Sequence, residues 1–384
     1  MKSKFLTRLG LKLLLLAALN FAHQSAFAHP PTGIVVNRQG IVYFTDLETV
    51  WKLDINGSLT VFRAGVNGRH VHELALDKDD NLLGADFSNE DSKWISDVWR
   101  MKPNGELTYL LEPTSNPPRG FSMWTDESGN MYFVEQDNRL KKRTLLLRRT
   151  TDGQVTTIAG STYGSRDGKG DAASFGSVGG MFISSSGQIY LTDGTSLRKV
   201  STDGVVTTIA TDLNKRTAED VPPLFGKNDG ILTGLSVDKD NNVYVADAGN
   251  QRLLKVAPSG KFDVVYRGES LYYPNGVVVA ASGDLYVLEV GFKPPGTWLP
   301  ARVRKVIAGG KSTIVAVSGD LRQPTSEAGR GEFKALMIPQ TTTRYPVVLV
   351  VIVAGGLLLV LWKLSGRIRR ACLNRFSPSF CTFK

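Results

Sequence analysis

The chain has 384 residues, a formal net charge of +10 and two cysteines. That length admits two or three domains, although all-β assemblies of this size are often one. The ten excess charges sit at the ends, as Lys2, Lys4, Arg8 and Lys12 in residues 1–28 and Lys363, Arg367, Arg369, Arg370, Arg375 and Lys384 in residues 363–384, with no acid in either segment. The remainder is neutral, which removes the electrostatic case for nucleic-acid binding.

Residues 1–28 read as a secretory signal peptide, with a basic start, an apolar Leu13 to Ala22, and Ala26-Phe-Ala28 fitting the small-x-small cleavage rule. The mature chain then begins at His29. From Gly33 onward one pattern of four short strands recurs. The first unit is Gly33 to Val36, Val42 to Asp46, Val50 to Leu53 and Leu59 to Phe62, with turns at Gly40 and Gly57. The second is Leu74 to Asp77, Asn81 to Asp86, Asp97 to Met101 and Leu107 to Leu111. The third runs Gly120 to Trp124, Met131 to Glu135, Leu145 to Arg149 and Val155 to Ala159. The fourth, Gly180 to Ala210, ends on Val206-Thr-Thr-Ile-Ala210, repeating the Val155-Thr-Thr-Ile-Ala159 that precedes it. After a polar insertion, Thr211 to Asn228, the fifth covers Gly234 to Tyr266 and the sixth Gly276 to Val317. Four-strand units at a period of about 40 to 50 residues are the mark of propeller blades, so the expectation is an all-β, six-bladed propeller over residues 29–317.

Residues 318–344 are polar and contain Gly and Pro, as expected of a linker. Val347 to Trp362 is uncharged and flanked by Tyr345 and Lys363, so a transmembrane helix is expected over 345–364. The basic tail, 365–384, then lies in the cytoplasm and the propeller outside, in a single-pass type I arrangement. Both cysteines, Cys372 and Cys381, fall in the tail, so the exported part cannot depend on disulfides. Asn56-Gly-Ser58 is the one glycosylation sequon.

The order of aliphatic run, Gly turn, (Ile/Val)-Tyr-x-x-Asp and Arg-x-Lys-Val, with the Gly-rich linker Gly164 to Phe175 between units, closely resembles the NHL-repeat family of β-propellers. Pro274-Asn275-Gly276 before an aliphatic run also resembles the SMP-30 gluconolactonase and strictosidine synthase group. That second resemblance implies a central calcium held by Asn275, with Glu73 as a further ligand. The alternative function is a calcium-dependent lactonase or esterase-like hydrolase in which His72 would be the proton-transfer group. Gly179 offers no side chain to such a site, and Arg119 would set a cation beside the metal. Pro-Asn-Gly also reads as an ordinary turn.

Function in a propeller gathers where inner strands meet the channel, so the residue just before each first strand is the informative column. It reads Thr32, His72, Arg119, Gly179, Thr233 and Asn275, with Tyr273 beside the last. His70 and His72 face one side of an extended strand, but no cysteine or further strand histidine completes a zinc set. Asp46, Asp86, Glu135, Asp193, Asp247 and Glu289 recur at the end of each second strand and are expected to accept hydrogen bonds from the following turn. The Arg and Lys of the third strands are expected to be solvated or to bridge blades. Lys141-Lys142-Arg143 and Arg148-Arg149 form the one dense basic cluster outside the tail. The expected function is non-enzymatic: a membrane-anchored propeller that binds or senses a protein, peptide or glycan ligand through Thr32, His72, Arg119, Thr233, Tyr273 and Asn275.

Overall fold

Hairpins form wherever a β-branched or aromatic run meets a turn that satisfies its own backbone. At Asp77, Asp126 and Asp238 the carboxylate Oδ1 accepts from the backbone N–H groups two and four residues on, at 2.9–3.0 Å. At Gly187 the backbone adopts φ 76°, a region that favours glycine, and its N–H donates to Ser184 O at 2.8 Å.

The computed structural model describes residues 31–90, 93–114, 123–126, 128–136, 142–220, 231–269, 271–293 and 297–320. The expected signal peptide, transmembrane helix and tail, most of the linker, Arg119, Lys141, Cys372 and Cys381 lie outside these residues. Among the described residues no helix is long and apolar enough to cross a membrane.

Blade one is β1 (Ile34–Val36), β2 (Val42–Thr45), β3 (Val50–Leu53) and β4 (Leu59–Arg63). Blade two is β5 (Arg69–Leu76), β6 (Leu82–Glu90), β7 (Lys93–Met101) and β8 (Leu107–Thr114). Blade three is β9 (Met123–Thr125), β10 (Met131–Gln136), β11 (Arg143–Arg149) and β12 (Val155–Thr162). A short β13 (Gly168–Lys169) precedes blade four, β14 (Val178–Ile183), β15 (Ile189–Asp193), β16 (Ser196–Val200) and β17 (Val205–Ala210), and pairs with β17 as a fifth strand. Blade five is β18 (Leu232–Val237), β19 (Val243–Asp247), β20 (Arg252–Val256) and β21 (Phe262–Arg267). Blade six is β22 (Tyr272–Val279), β23 (Leu285–Lys293), β24 (Thr297–Val306) and β25 (Ser312–Val317). Six antiparallel sheets, each contiguous in sequence, make the expected all-β propeller.

The inner strands β1, β5, β9, β14, β18 and β22 neighbour one another in turn, and β22 returns to β1. Among the described residues no strand is exchanged between the first and last blades. The ring closes by burial instead, with Ile34, Phe44 and Trp51 of blade one and Val278, Leu288 and Val303 of blade six in one apolar cluster. Ser318, the first residue of the expected linker, still donates its N–H to Ala301 O at 2.8 Å.

Antiparallel pairing puts the start of each inner strand and the end of each second strand on one face of the disc, called the upper face below. The recurring acids lie there, but among the described residues only Asp46 and Asp247 accept from the following turn, at Thr49 N and Asn250 N. The others bind arginines, Trp99, Tyr266 or Gly176 N, because the third-strand arginines come to them. Arg198, Arg252 and Arg304 are buried rather than solvated. Arg198 bridges Asp193 (2.8 Å) and Asp167 (2.9 Å), and Arg252 bridges Asp247 (2.9 Å) and Asp220 (2.8 Å). Arg302 and Arg304 both bridge Glu289 and Glu269, at 2.6–3.2 Å. Each triad joins a second strand to the linker entering that blade, because a buried guanidinium needs two partners to offset its desolvation. Blade two inverts the charges: Asp86 and Asp97 come from the strands, and Arg63 and Arg69 flank the linker. The lysines stay half-buried, Lys199, Lys255 and Lys305 lying over their cross-strand partners Tyr190, Tyr244 and Tyr286 at 5.5–6.0 Å.

The expected basic cluster is not one patch. Arg143 lies at the upper end of β11, paired with Glu135 at 2.5 Å, while Arg148 and Arg149 lie at its other end.

Candidate functional site

The column expected just before the inner strands lies inside them. The register of β5 skips between Val71 and Leu74, that of β14 between Val178 and Gly180, that of β18 between Leu232 and Leu235, and that of β22 between Pro274 and Gly276. His72, Gly179, Thr233 and Asn275 all fall in these skips, so the column is a ring of β-bulges. A bulge lets the strand continue while re-aiming one residue toward the axis, which is why these positions escape the repeat. Among the described members of the column, Thr32 alone precedes its strand, and β1 begins two residues later.

Close backbone contact sets which residues the ring tolerates. A Cβ on Gly179 would lie 2.2 Å from Leu232 O, and one on Gly276 would lie 2.2 Å from Thr32 O. Inner strands of blades four to six and one therefore meet backbone to backbone, and only glycine fits there.

His72, Glu73, Thr233, Tyr273 and Asn275 are buried, Asn275 completely, and Thr32 is half-buried. Three of these residues converge on one stretch, Pro31 and Thr32. Asn275 Nδ2 donates to Pro31 O at 2.5 Å. Thr32 N and Gly33 N donate to His72 O at 3.1 and 2.9 Å, and Thr32 Oγ1 donates to Glu73 Oε1. The imidazole of His72 stands edge-on to His70 and Phe87, at 6.1 and 5.9 Å between ring centres. Thr233 is set apart, its hydroxyl donating to Ala246 O at 3.3 Å and its carbonyl accepting from Thr192 Oγ1 at 3.1 Å. Burial raises the Tyr273 phenol above its ordinary range.

Burial pushes the Glu73 carboxyl up to about 8, against a smaller opposing effect of the Thr32 hydrogen bond. Glu73 is therefore mostly neutral at physiological pH. Calcium takes six to eight oxygens, with carboxylates in the ionised form. Among the described residues no three His, Cys, Asp or Glu side chains are grouped to hold a metal. Glu73 and Asn275 alone offer too few oxygens for the six to eight that calcium takes, and the Asn275 atom that binds Pro31 O is the amide nitrogen, not the oxygen that would hold an ion. His72 lies in an aromatic edge cluster with His70 and Phe87.

Residues missed from sequence are the backbone of Pro31, which the bulges hold, and Asp167, Asp220 and Glu269, which complete the triads. Asp167 sits in the Gly-rich linker that carries the family resemblance, and that motif was the available signal for it. Pro31 offers only a carbonyl, which no side-chain pattern reveals.

Comparison with known proteins gives a match to the NHL repeat over residues 232–256. Teneurin-3 of Mus musculus is 26% identical over 291 residues, covering 63% of this chain and 10% of the relative. Teneurin-3 of Danio rerio is 25% identical over 215 residues, covering 50% of this chain and 7% of the relative. The chain thus spans a tenth or less of these relatives. Among solved structures, virginiamycin B lyase from Staphylococcus aureus has 15% identity, covers 74% of this chain and 83% of that one, and has a TM-score of 0.44. A calcium-binding regucalcin from Agrobacterium tumefaciens has 14% identity, covers 70% and 85%, and has a TM-score of 0.48. The matched residues 232–256 are β18 to β20, three strands of blade five that repeat with variation around the ring, and the chain is a β-propeller of six blades that carries an NHL repeat.

Proposed function

We propose that this chain is an exported propeller, anchored by a helix over 345–364, that binds a protein, peptide or glycan ligand on its upper face and catalyses no reaction there. One observation carries the reading. The two side chains that a hydrolase of this shape would turn to calcium, Glu73 and Asn275, are both engaged in hydrogen bonds to Pro31 and Thr32. Their chemistry is that of a clasp on polypeptide, with a carboxyl accepting from a hydroxyl and an amide donating to a carbonyl. The signal-like 1–28 and the apolar 345–364 support export and anchoring.

The test is the metal content of the purified full-length protein, together with its melting temperature in calcium and in chelator. The binding reading expects no stoichiometric calcium and the same melt in both. A calcium ion that leaves with chelator, lowers the melt and disappears in Asn275→Ala would overturn it in favour of a calcium-dependent lactonase or esterase.

A further inference from the structure

At the upper mouth of the channel the ring holds a piece of extended backbone that belongs to neither of the blades gripping it. Asn275, from β22 of blade six, binds the Pro31 carbonyl at 2.5 Å. From β5 of blade two, His72 O receives the Thr32 N–H at 3.1 Å and Glu73 receives the Thr32 hydroxyl. Sheet pairing of blade one starts one residue later, where Thr45 N donates to Gly33 O at 3.1 Å. Pro31 and Thr32 are therefore a strap laid across the bulges, outside the ladder of their own blade, and the strap can lift without unpairing β1.

The grip reads three chemical features in order. It takes a carbonyl from a residue whose own N–H is absent, then a backbone N–H, then a β-hydroxyl on that second residue. Proline suits the first position because it is buried there and leaves no donor to satisfy. A hydroxyl suits the second because Glu73, pushed up by burial, sits as an acceptor with no cation beside it among its hydrogen-bond partners. We propose that this mouth is a binding subsite for an extended Pro-Thr or Pro-Ser segment, that the chain's own Pro31 and Thr32 are its resident occupant, and that a partner segment of the same chemistry displaces them. The proposal rests on the binding reading above and narrows its ligand to an extended peptide.

A tethered occupant competes at an effective concentration on the order of millimolar, so the free segment binds weakly until the strap is loosened. The probe is a fluorescein-labelled peptide, His-Pro-Pro-Thr-amide, titrated by polarisation against the full-length protein in detergent. Thr32→Val removes the hydroxyl and keeps the volume, so it loosens the strap and leaves the grip intact. The expected result is roughly tenfold tighter peptide binding to Thr32→Val than to the wild type, one hydrogen bond of competition having been removed. That gain should vanish when Asn275→Ala is added. Pro31→Gly, which frees the strap backbone and retains its carbonyl, serves as a second loosened variant if Thr32→Val does not fold. Equal binding to wild type and both loosened proteins, or a gain that survives Asn275→Ala, overturns the proposal. If the peptide fails while the protein stays metal-free and indifferent to chelator, the peptide class falls and the binding reading stands. A chelator-sensitive melt removes the binding reading itself.

Discussion

Glu73 is the residue whose protonation the fold decides. Its carboxyl is pushed up to about 8 in the folded chain, above the ordinary value of 4.5. Below about pH 4.5 both folded and unfolded chains carry the proton, and the stability this residue permits is complete. As pH rises toward 8 the unfolded chain releases the proton while the folded chain keeps it, so stability falls across that window and levels off above it. The loss is on the order of a few kcal/mol. Asp97, pushed up to about 6 by burial and then by the charge of Asp86, adds a slope of the same sign at lower pH. Melting temperatures measured from about pH 5 to about pH 9 should therefore decline in the wild type, and decline less in Glu73→Gln above about pH 6. An identical slope in the two proteins would show that Glu73 is ionised when folded. Asn275→Ala leaves the Pro31 carbonyl unsatisfied in a buried setting, a cost of about 1–3 kcal/mol. Denaturant unfolding should register that loss with or without calcium.

At the scale of the element, the triads carry the predictions. Arg252 is buried between Asp247 and Asp220 and also donates to Leu213 O and Lys215 O at 2.9 and 2.8 Å. Arg252→Ala leaves the buried Asp247 without its cation and Asp220 with Arg267 alone, and the expected cost is about 3–5 kcal/mol. Arg38, exposed and paired with Asp80 at 3.3 Å, is the contrast, and Arg38→Ala should cost less than about 1 kcal/mol. Equal effects on the midpoint of urea unfolding would show that Arg252 is not a keystone of blade five. The strands themselves were legible from sequence, because alternation of β-branched and aromatic residues between turn glycines is a local property. Asp46 and Asp247 were legible as caps for the same reason, accepting from Thr49 N and Asn250 N, whereas Glu289 binds Tyr266, Arg302 and Arg304 instead. The burial of Arg198 and Arg252 was not, because it depends on Asp167 and Asp220, which approach from linkers far along the chain. His72, Thr233 and Asn275 were recognised by failing to repeat, but their bulges were hidden, since a register skip shows only when two strands are paired.

At the scale of the molecule, the seam between blades six and one has, among the described residues, neither a connecting linker nor an exchanged strand. The apolar cluster of Ile34, Phe44, Val278 and Leu288, and the clasp on Pro31 and Thr32, hold it shut. Val278→Asp places a charge in that cluster, and hydrogen exchange should then quicken first in β1 and β22, before β18 and β19. Uniform quickening around the ring would mean that the six blades open as one unit.

Contiguous blades also order events in time. Each sheet completes from residues already made, so blades form one after another as the chain emerges, and none waits for a distant strand. Closure is left for last, and until then the apolar sides of blade one and blade six stand open as two complementary ends. Those ends can meet each other or the ends of another molecule, and which happens depends on concentration. The strap takes part in the closure, since Pro31 and Thr32 touch blades six and two at once in the closed ring. A short stretch ahead of the first blade thus ties together the second blade made and the last.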